Sequence, residues 1–162
     1  CSPNIPKELF GEQAAAGITS VPHTNGRDLW ILVPLYYPNV IKVYRLTSKG
    51  IDKDSNAYDI DFNRKWSLNA AGEGDQDYVN TGEIKASVSG RRVALTTGLR
   101  GRILLYDFDP SSGVLSNRMQ VADSAYFYQG GREIVVTVKD SIIPYGIEFS
   151  LDEKKLYVFL IV

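Results

Sequence analysis

The sequence predicts an all-β fold, a partial β-propeller of about two and a half four-stranded antiparallel blades with a repeat of about 63 residues. Three observations support this prediction. Short β-branched and aromatic runs alternate with turns rich in Gly, Pro and Asn, and similar runs recur at a constant interval. The third strand of each of the first two units is apolar on both faces. Composition agrees, because 10 Tyr, 6 Phe and 14 Gly among 162 residues favour strands joined by turns.

The first unit is predicted to contain four strands. They span residues 18–21, 29–33 and 40–46, followed by an outer strand in which Tyr58, Ile60 and Phe62 alternate with aspartates. Asn25-Gly26 supplies the tight turn between the first two strands, because both residue types tolerate a positive φ. Residues 34–39, which contain two prolines, are predicted to break the chain before the third strand.

The second and third units repeat this pattern. The predicted strands of the second unit span residues 84–88, 91–97, 103–108 and 119–121, and residues 133–139 predict one further, inserted strand. The third unit contains strands at residues 147–149 and 156–162 only. The domain organisation is therefore an extended leader over residues 1–16 and a propeller segment over 17–162, divided into a blade at 17–81, a blade at 82–143 and an incomplete blade at 144–162.

Corresponding features of the units recur at a nearly constant interval of about 63 residues. The matched sets are Ile18, Ile84 and Ile147; Leu29, Val93 and Leu156; Tyr44 and Tyr106; and Gly50 and Gly113. A four-stranded unit exposes two faces that only neighbouring units can cover, so the repeat predicts stacking of successive units.

Charge and cysteine content exclude several classes of function. The chain carries 18 basic and 19 acidic residues without a long run of either sign, which argues against a nucleic-acid partner. Arg91, Arg92, Arg100 and Arg102 bracket one hairpin but are not expected to form a single phosphate-binding patch. Cys1 is the single cysteine, so an internal disulfide and a cysteine-based metal site are excluded.

Cys1 has two interpretations. A mature bacterial lipoprotein begins with an acylated cysteine, which would attach the protein to a membrane that it does not span. The alternative is an arbitrary boundary of the sequence.

Two groups of residues are candidate binding sites. Glu73, Asp75 and Asp77 alternate in a Gly-containing loop, where oxygen ligands could wrap a calcium ion, although a solvated acidic loop explains the same pattern. No other cofactor is predicted. Exposed aromatics in predicted loops, which could stack on a sugar or a protein partner or else cover the space between blades, are Tyr36, Tyr37, Tyr126 and Tyr128.

Three further residues are predicted to serve turns and not catalysis. His23 lies just before the Asn-Gly turn and has no neighbouring Cys or carboxylate pair, so it is interpreted as a hydrogen-bonded turn residue. Asp107 and Asp109 are predicted to cap the turn at residues 110–113, because aspartate accepts hydrogen bonds from turn amides.

Two motifs in a fixed order carry a family resemblance. SVSGRRVALTTGLRGRILLYDFDPSSGVLSN followed by YGIEFSLDEKKLYV resembles the β-propeller regions of Bacteroidetes cell-surface proteins associated with gliding motility or type IX secretion, within the YVTN/lactonase-like superfamily. Upstream, ITSVPHTNGRDLWILV resembles a further family segment, so the likeness extends over residues 16–158. Glu153 departs from the family pattern, which usually has a turn Gly there.

The resemblance implies a non-enzymatic, exported or outer-membrane-associated surface module that binds a protein or a glycan. Two alternatives remain open: a fragment of a lactonase-like hydrolase whose site gathers side chains from several blades, and a propeller completed by a partner chain. The apolar strand at residues 156–162 also has an unpaired edge, which predicts self-association through this C-terminal strand.

Overall fold

The structure of the protein is a computed structural model that describes residues 13–14, 17–37, 40–52, 56–59, 82–97, 102–122, 124–129, 132–137 and 143–161. Within these residues the chain forms fourteen β-strands and no helix. All strand pairs are antiparallel, and none of the described sheets closes on itself. The prediction of an all-β, antiparallel architecture is confirmed.

The first sheet contains six strands but is only four strands wide. Its strands are β1 (Gln13–Ala14), β2 (Thr19–Pro22), β3 (Leu29–Tyr37), β4 (Val40–Thr47), β5 (Gly50–Ile51) and β6 (Asn56–Asp59). β1 and β2 pair with different parts of the same edge of β3, and β5 and β6 do the same along β4. β6 confirms the predicted outer strand at Tyr58, whereas Ile60 and Phe62 of that prediction lie outside the described residues. β1 adds two residues of the predicted leader to the sheet.

The second sheet is a four-stranded meander in the order β10-β9-β8-β7. Its strands are β7 (Ile84–Ala86), β8 (Arg92–Thr97), β9 (Arg102–Asp109) and β10 (Val114–Ala122). The β11–β12 hairpin follows, with β11 at Ser124–Gln129 and β12 at Arg132–Thr137. The third sheet consists of β13 (Ile143–Phe149) and β14 (Leu156–Ile161).

The predicted break is wrong at residues 34–37, because β3 continues through Pro34 to Tyr37. Pro34 lies between the residues of β3 that pair with β2 and those that pair with β1, so its missing N–H removes no ladder hydrogen bond on that side. The predicted inserted strand at residues 133–139 is confirmed by β12, but its partner β11 was not predicted. Two β-prone runs flank Gly130-Gly131, which favours this hairpin.

The strand register corrects two of the repeat equivalences. Ile84 pairs with Leu95 and Ile147 with Val158, and the corresponding pair in the first sheet contains Ser20, not Ile18. With Ser20 in the first position, the two steps of the repeat, to Ile84 and then to Ile147, become almost equal in length. A shift of two residues keeps the same alternation of faces, which is why the sequence pattern did not detect it.

Tyr44 and Tyr106 are likewise not equivalent in register. Tyr44 pairs with Ile31, whereas Tyr106 pairs with Val93, the counterpart of Leu29. Both tyrosines still lie on the same face of their respective sheets, because their offset is again two residues.

The sheets stack face to face through two hydrophobic clusters. We call the face of a sheet that contacts the next sheet along the chain its forward face, and the opposite one its backward face. The first cluster joins the first and second sheets and contains Val21, Trp30, Leu32, Ile41 and Val43 on the forward face, against Ile84, Val93, Leu95, Leu104, Tyr106, Phe108 and Leu115 on the backward face.

The second cluster joins the second and third sheets. Ala94, Ile103 and Leu105 on the forward face of the second sheet contact Ile147, Phe149, Leu156 and Val158 on the backward face of the third. β8 and β9 are therefore buried on both faces, which the lack of apolar–polar alternation predicts for β9.

Candidate functional site

Three hairpin turns with the same hydrogen-bond pattern lie at one end of the stacked sheets. They are the first repeat turn (residues 23–28), the second (87–92) and the third (150–155), each connecting the first two strands of its unit. In each turn the first residue donates its N–H to the carbonyl of the sixth, over 2.9 Å at His23, Ser87 and Ser150. His23, Ser87 and Ser150 are separated by the length of the repeat. The same backbone hydrogen bond therefore recurs in each unit.

The fourth residue of each turn adopts a left-handed backbone conformation. The φ angles of Gly26, Gly90 and Glu153 are 67°, 70° and 57°, and each residue donates its N–H to the carbonyl of the first turn residue over 2.8–3.0 Å. Glycine adopts this conformation without a Cβ clash, whereas Glu153 does so with a side chain. The third turn therefore keeps the geometry of the other two with a charged residue at its strained position.

His23 acts as a turn residue, as predicted. Its Nδ1 accepts a hydrogen bond of 2.9 Å from the Asn25 amide, which assigns the proton of a neutral imidazole to Nε2. The Asn25 side chain in turn accepts from the amides of Arg27 and Asp28, both over 3.0 Å.

Trp30 is the centre of a polar and aromatic cluster beside the first repeat turn. The His23 ring lies 5.4 Å from the Trp30 ring, and the Arg45 guanidinium lies 5.9 Å from its centroid. Arg45 also donates from Nε and Nη2 to one carboxylate oxygen of Asp28, over 3.0 and 2.7 Å. The pKa of Asp28 is lowered, first by a hydrogen bond from the Asn25 side chain and then by Arg45. This Trp30 cluster depends on the register that places Arg45 opposite Trp30, which the sequence does not reveal.

Trp30 also connects the first sheet to the turn between β9 and β10. Its Nε1 donates to the Pro110 carbonyl over 2.8 Å, and a Cβ added to Gly113 would lie 2.7 Å from its ring. Asp109 caps this turn as predicted: its carboxylate accepts from the Ser111 amide and from the Ser111 and Ser112 hydroxyls, over 2.6–2.9 Å. These bonds, with the Ser112 hydroxyl first, lower the pKa of Asp109 to about 2.

The other aspartate predicted to cap this turn has a different role. The carboxylate of Asp107 accepts a hydrogen bond of 2.9 Å from the side chain of Asn117 on the neighbouring strand β10. Asp107 lies further from the turn than Asp109 and pairs with Ser116 across β9 and β10. The prediction of a cap is therefore wrong for Asp107.

Polar side chains link successive sheets to one another. Thr19 Oγ1 accepts from the Ala86 amide over 3.1 Å, which joins the first sheet to the second. Glu83 accepts from the Ile147 amide over 3.2 Å, and Thr96 Oγ1 donates to the Tyr145 carbonyl over 3.2 Å, which join the second sheet to the third. Hydrophobic contacts have no preferred direction, whereas hydrogen bonds do. These bonds therefore fix the position of each sheet relative to the next.

An ion pair joins β7 of the second sheet to β13 of the third. Lys85 Nζ lies 2.7 Å from a Glu148 carboxylate oxygen, and the pKa of Lys85 is raised by that hydrogen bond. Because both side chains are more than a third exposed, the pair contributes on the order of 0–1 kcal/mol.

Several predicted residues lie where the structure gives no side-chain description. Glu73, Asp75, Asp77 and Cys1 are outside the described residues, as is Arg100, and only the backbone of Arg102 is described. Arg91 is exposed in the second repeat turn and Arg92 begins β8. In the part of the chain that is described, no group of three or more His, Cys, Asp or Glu could hold a metal ion. Nor does any described segment form a helix with the length and hydropathy of a membrane span.

The four candidate tyrosines belong to strands, so their prediction as loop residues is wrong. Tyr36 and Tyr37 extend β3, and Tyr126 and Tyr128 occupy register positions opposite Val135 and Glu133 in the β11–β12 hairpin.

Comparison with known proteins identifies no relative: no protein-family model, no curated protein and no solved structure matches this chain.

Proposed function

We propose that the chain is a β-propeller segment that acts without catalysis, as a binding or structural module of an exported or cell-surface protein. The supporting observation is the stacking of sheets through one repeated relationship: the turns recur at a constant interval, and the backward face of each sheet covers the forward face of the one before. Stacked repeats of this kind provide extended surfaces for partners, because each unit is stabilised only by its neighbours.

The use of the ionisable side chains supports a structural role. Asp109, Asp152 and Glu153 accept hydrogen bonds that hold turns or join sheets, and each has a lowered pKa, led by hydrogen bonds from Ser112, Ser150 and Ser89. A carboxylate with a lowered pKa is ionised at neutral pH and is a poor general acid. These three carboxylates are therefore better suited to holding turns and sheets together than to proton transfer.

The partner that we propose is a protein or a glycan at the cell surface, with Tyr36, Tyr37, Tyr126 and Tyr128 as the contact residues. Tyr36 and Tyr37 are adjacent in β3, and Tyr126 and Tyr128 are two positions apart in β11. Aromatic side chains bury large apolar areas at low entropic cost, which suits them to sugar rings and to protein surfaces. The resemblance to surface propellers of gliding and secreting bacteria supports the same class of partner.

The experiment combines a glycan array and a surface-protein pull-down with a panel of lactone and ester substrates. We expect binding without turnover, and we expect Tyr126→Ala with Tyr128→Ala to abolish the binding. Tyr145→Ala is the matched control, because Tyr145 is half exposed and belongs to β13, a different strand from either tyrosine pair. Turnover that a single His23→Ala or Asp109→Asn change abolishes would replace this proposal with the lactonase-like hydrolase.

A further inference from the structure

Exposed aliphatic side chains occupy the same position in two of the repeat turns. The second residue of the second repeat turn, Val88, is 70% exposed, and that of the third, Leu151, is 89% exposed. The first repeat turn has the polar Thr24 at this position, which is exposed as well. Val88 remains exposed although the second sheet lies between the first and the third, so a repeat turn is present on each side of it. Exposure therefore belongs to this turn position and does not depend on the limits of the sequence.

Basic residues recur at the fifth position of the same turns. These residues are Arg27, Arg91 and Lys154, and all three are exposed. The sixth residues of the second and third turns, Arg92 and Lys155, are also basic and exposed. In the part of the chain that the structure describes, none of these five side chains forms an ion pair.

The acidic residues of the three turns are used within the protein. Asp28 is paired with Arg45 over 2.7 Å. Asp152 accepts a hydrogen bond of 2.6 Å from the Ser150 hydroxyl of its own turn, and Glu153 joins the third turn to the second. The three turns contain five basic and three acidic residues, so positive charge is in excess and is not consumed by internal contacts.

Contacts between the turns make them one continuous surface. The β9–β10 turn lies between the first and second repeat turns, because the Pro110 carbonyl accepts from the Thr24 amide over 3.4 Å and a Cβ added to Gly90 would lie 3.8 Å from the Pro110 ring. Hydrogen bonds from Ser89 to Glu153 join the second repeat turn to the third. We call this end of the stacked sheets the turn surface.

We propose that the turn surface binds an anionic lipid bilayer, with Val88 and Leu151 entering the headgroup region and the basic residues contacting lipid phosphates. A bilayer matches both features of the surface, because anionic lipids attract basic side chains and aliphatic side chains gain by burial at the boundary of the acyl chains. An acidic polysaccharide would match the basic residues but leave the two aliphatic side chains in water. The turn surface contains none of the tyrosines assigned to the cell-surface partner, so this contact goes beyond the proposed function.

The test is co-sedimentation of the full chain with two kinds of vesicle, phosphatidylcholine alone and an equimolar mixture of phosphatidylcholine and phosphatidylglycerol. We expect binding to the mixed vesicles only, and weaker binding as salt is added, because salt screens the charges. Arg27→Gln, Arg91→Gln and Lys154→Gln should each weaken binding about fivefold, the usual contribution of one basic residue near an anionic membrane surface. Leu151→Ser should weaken binding about tenfold, because the burial of its side chain is lost.

Two matched controls lie away from the turn surface. Lys42→Gln removes one positive charge in the middle of β4, where Lys42 pairs with Val33. Ile18→Ser removes an aliphatic side chain that is 66% exposed and precedes the start of β2, whereas the first repeat turn follows the end of that strand. Both variants should bind the mixed vesicles as the unmodified protein does, and circular dichroism checks that every variant is folded.

The proposal is overturned if the unmodified protein does not bind the mixed vesicles at any lipid concentration, or if the three turn variants bind no more weakly than Lys42→Gln. Binding that the basic variants weaken but Leu151→Ser leaves unchanged also overturns it, and assigns the surface to an acidic polymer, with soluble polyglutamate as the competitor that shows it. Tyr126→Ala with Tyr128→Ala should leave vesicle binding intact. The failure of this proposal and that of the proposed function are therefore distinguishable.

Discussion

Glu153 of the third repeat turn accepts hydrogen bonds from both the backbone amide and the hydroxyl of Ser89 in the second repeat turn, the latter over 2.9 Å. The two residues are 64 positions apart in the sequence. Glu153 occupies the left-handed position that Gly26 and Gly90 fill in the other turns. A glycine at this position would lack the side chain that makes these hydrogen bonds between the second and third repeat turns.

Two replacements of Glu153 should distinguish the stability that its hydrogen bonds to Ser89 provide from the cost of its strained backbone. Glu153→Ala removes the hydrogen bonds to Ser89 and keeps a Cβ at a positive φ, whereas Glu153→Gly removes the bonds and relieves the strain. We therefore expect the thermal unfolding midpoint to fall for Glu153→Ala and to fall less for Glu153→Gly. An alanine variant as stable as the unmodified protein would show that the bonds to Ser89 do not stabilise the stack.

Asp109 should make stability depend on pH in the acidic range. Its folded-state pKa of about 2 lies below the ordinary value of 3.8, so its contribution is fully present above about pH 4 and is lost as the pH falls toward 2. The urea midpoints of the unmodified protein and Asp109→Asn should differ at pH 7 and converge near pH 2. As a control, Asp52→Asn replaces an exposed carboxylate after β5 and should leave the urea midpoint close to that of the unmodified protein at both pH values. A difference between Asp109→Asn and the unmodified protein that is as large at pH 2 as at pH 7 would contradict the role assigned to Asp109.

Gly113 and Gly26 both have a positive φ, but only Gly113 lies against the Trp30 ring, so replacing each with alanine tests that contact. A Cβ at Gly26 would meet no atom within 4 Å, so Gly26→Ala should cost about 1 kcal/mol from backbone strain alone. A Cβ at Gly113 would lie 2.7 Å from the Trp30 ring, which adds an overpacking cost of about 1–3 kcal/mol. Denaturant unfolding of both variants measures the difference. Equal losses would mean that the Trp30 ring does not pack against this turn.

Alanine substitutions at Ile84 and Ile18 test whether these two isoleucines occupy equivalent positions in the repeat. Ile84 is 1% exposed between the first and second sheets, so Ile84→Ala should destabilise the fold by about 2–5 kcal/mol. Ile18 is 66% exposed, and Ile18→Ala should change the free energy of unfolding by less than about 0.5 kcal/mol. Urea unfolding at pH 7 provides both values. Similar losses at the two sites would restore Ile18 as the equivalent of Ile84.

Local features of the fold were predictable from the sequence. The positive φ of Gly26, the Asp109 cap and the turn position of His23 each depend on residues within a few positions of one another, and the structure confirms all three. Strand positions follow from alternation and turn residues, with errors where Pro34 continues β3 and where β11 was not predicted. The candidate calcium ligands lie outside the described residues, so their role stays a prediction.

Contacts between units required the tertiary structure. The Trp30 indole and the Pro110 carbonyl are 80 residues apart, and the pairing of Arg45 with Trp30 depends on the exact register of β3 and β4. Sequence periodicity detected a repeat but matched Ile18 with Ile84 in place of Ser20, because a shift by two leaves every side chain on the same face.

Most strands, their antiparallel connections and the period of the repeat can be read from the amino-acid order, since these depend on short-range alternation and on the φ angles that Gly and Asn permit. The packed structure was needed to show which face of each sheet meets the next, that Glu153 bonds to Ser89, and that Val88 stays exposed between neighbouring turns. The physical reason is that alternation assigns residues to two faces without saying what covers either one. That choice is made by packing between residues some 64 positions apart.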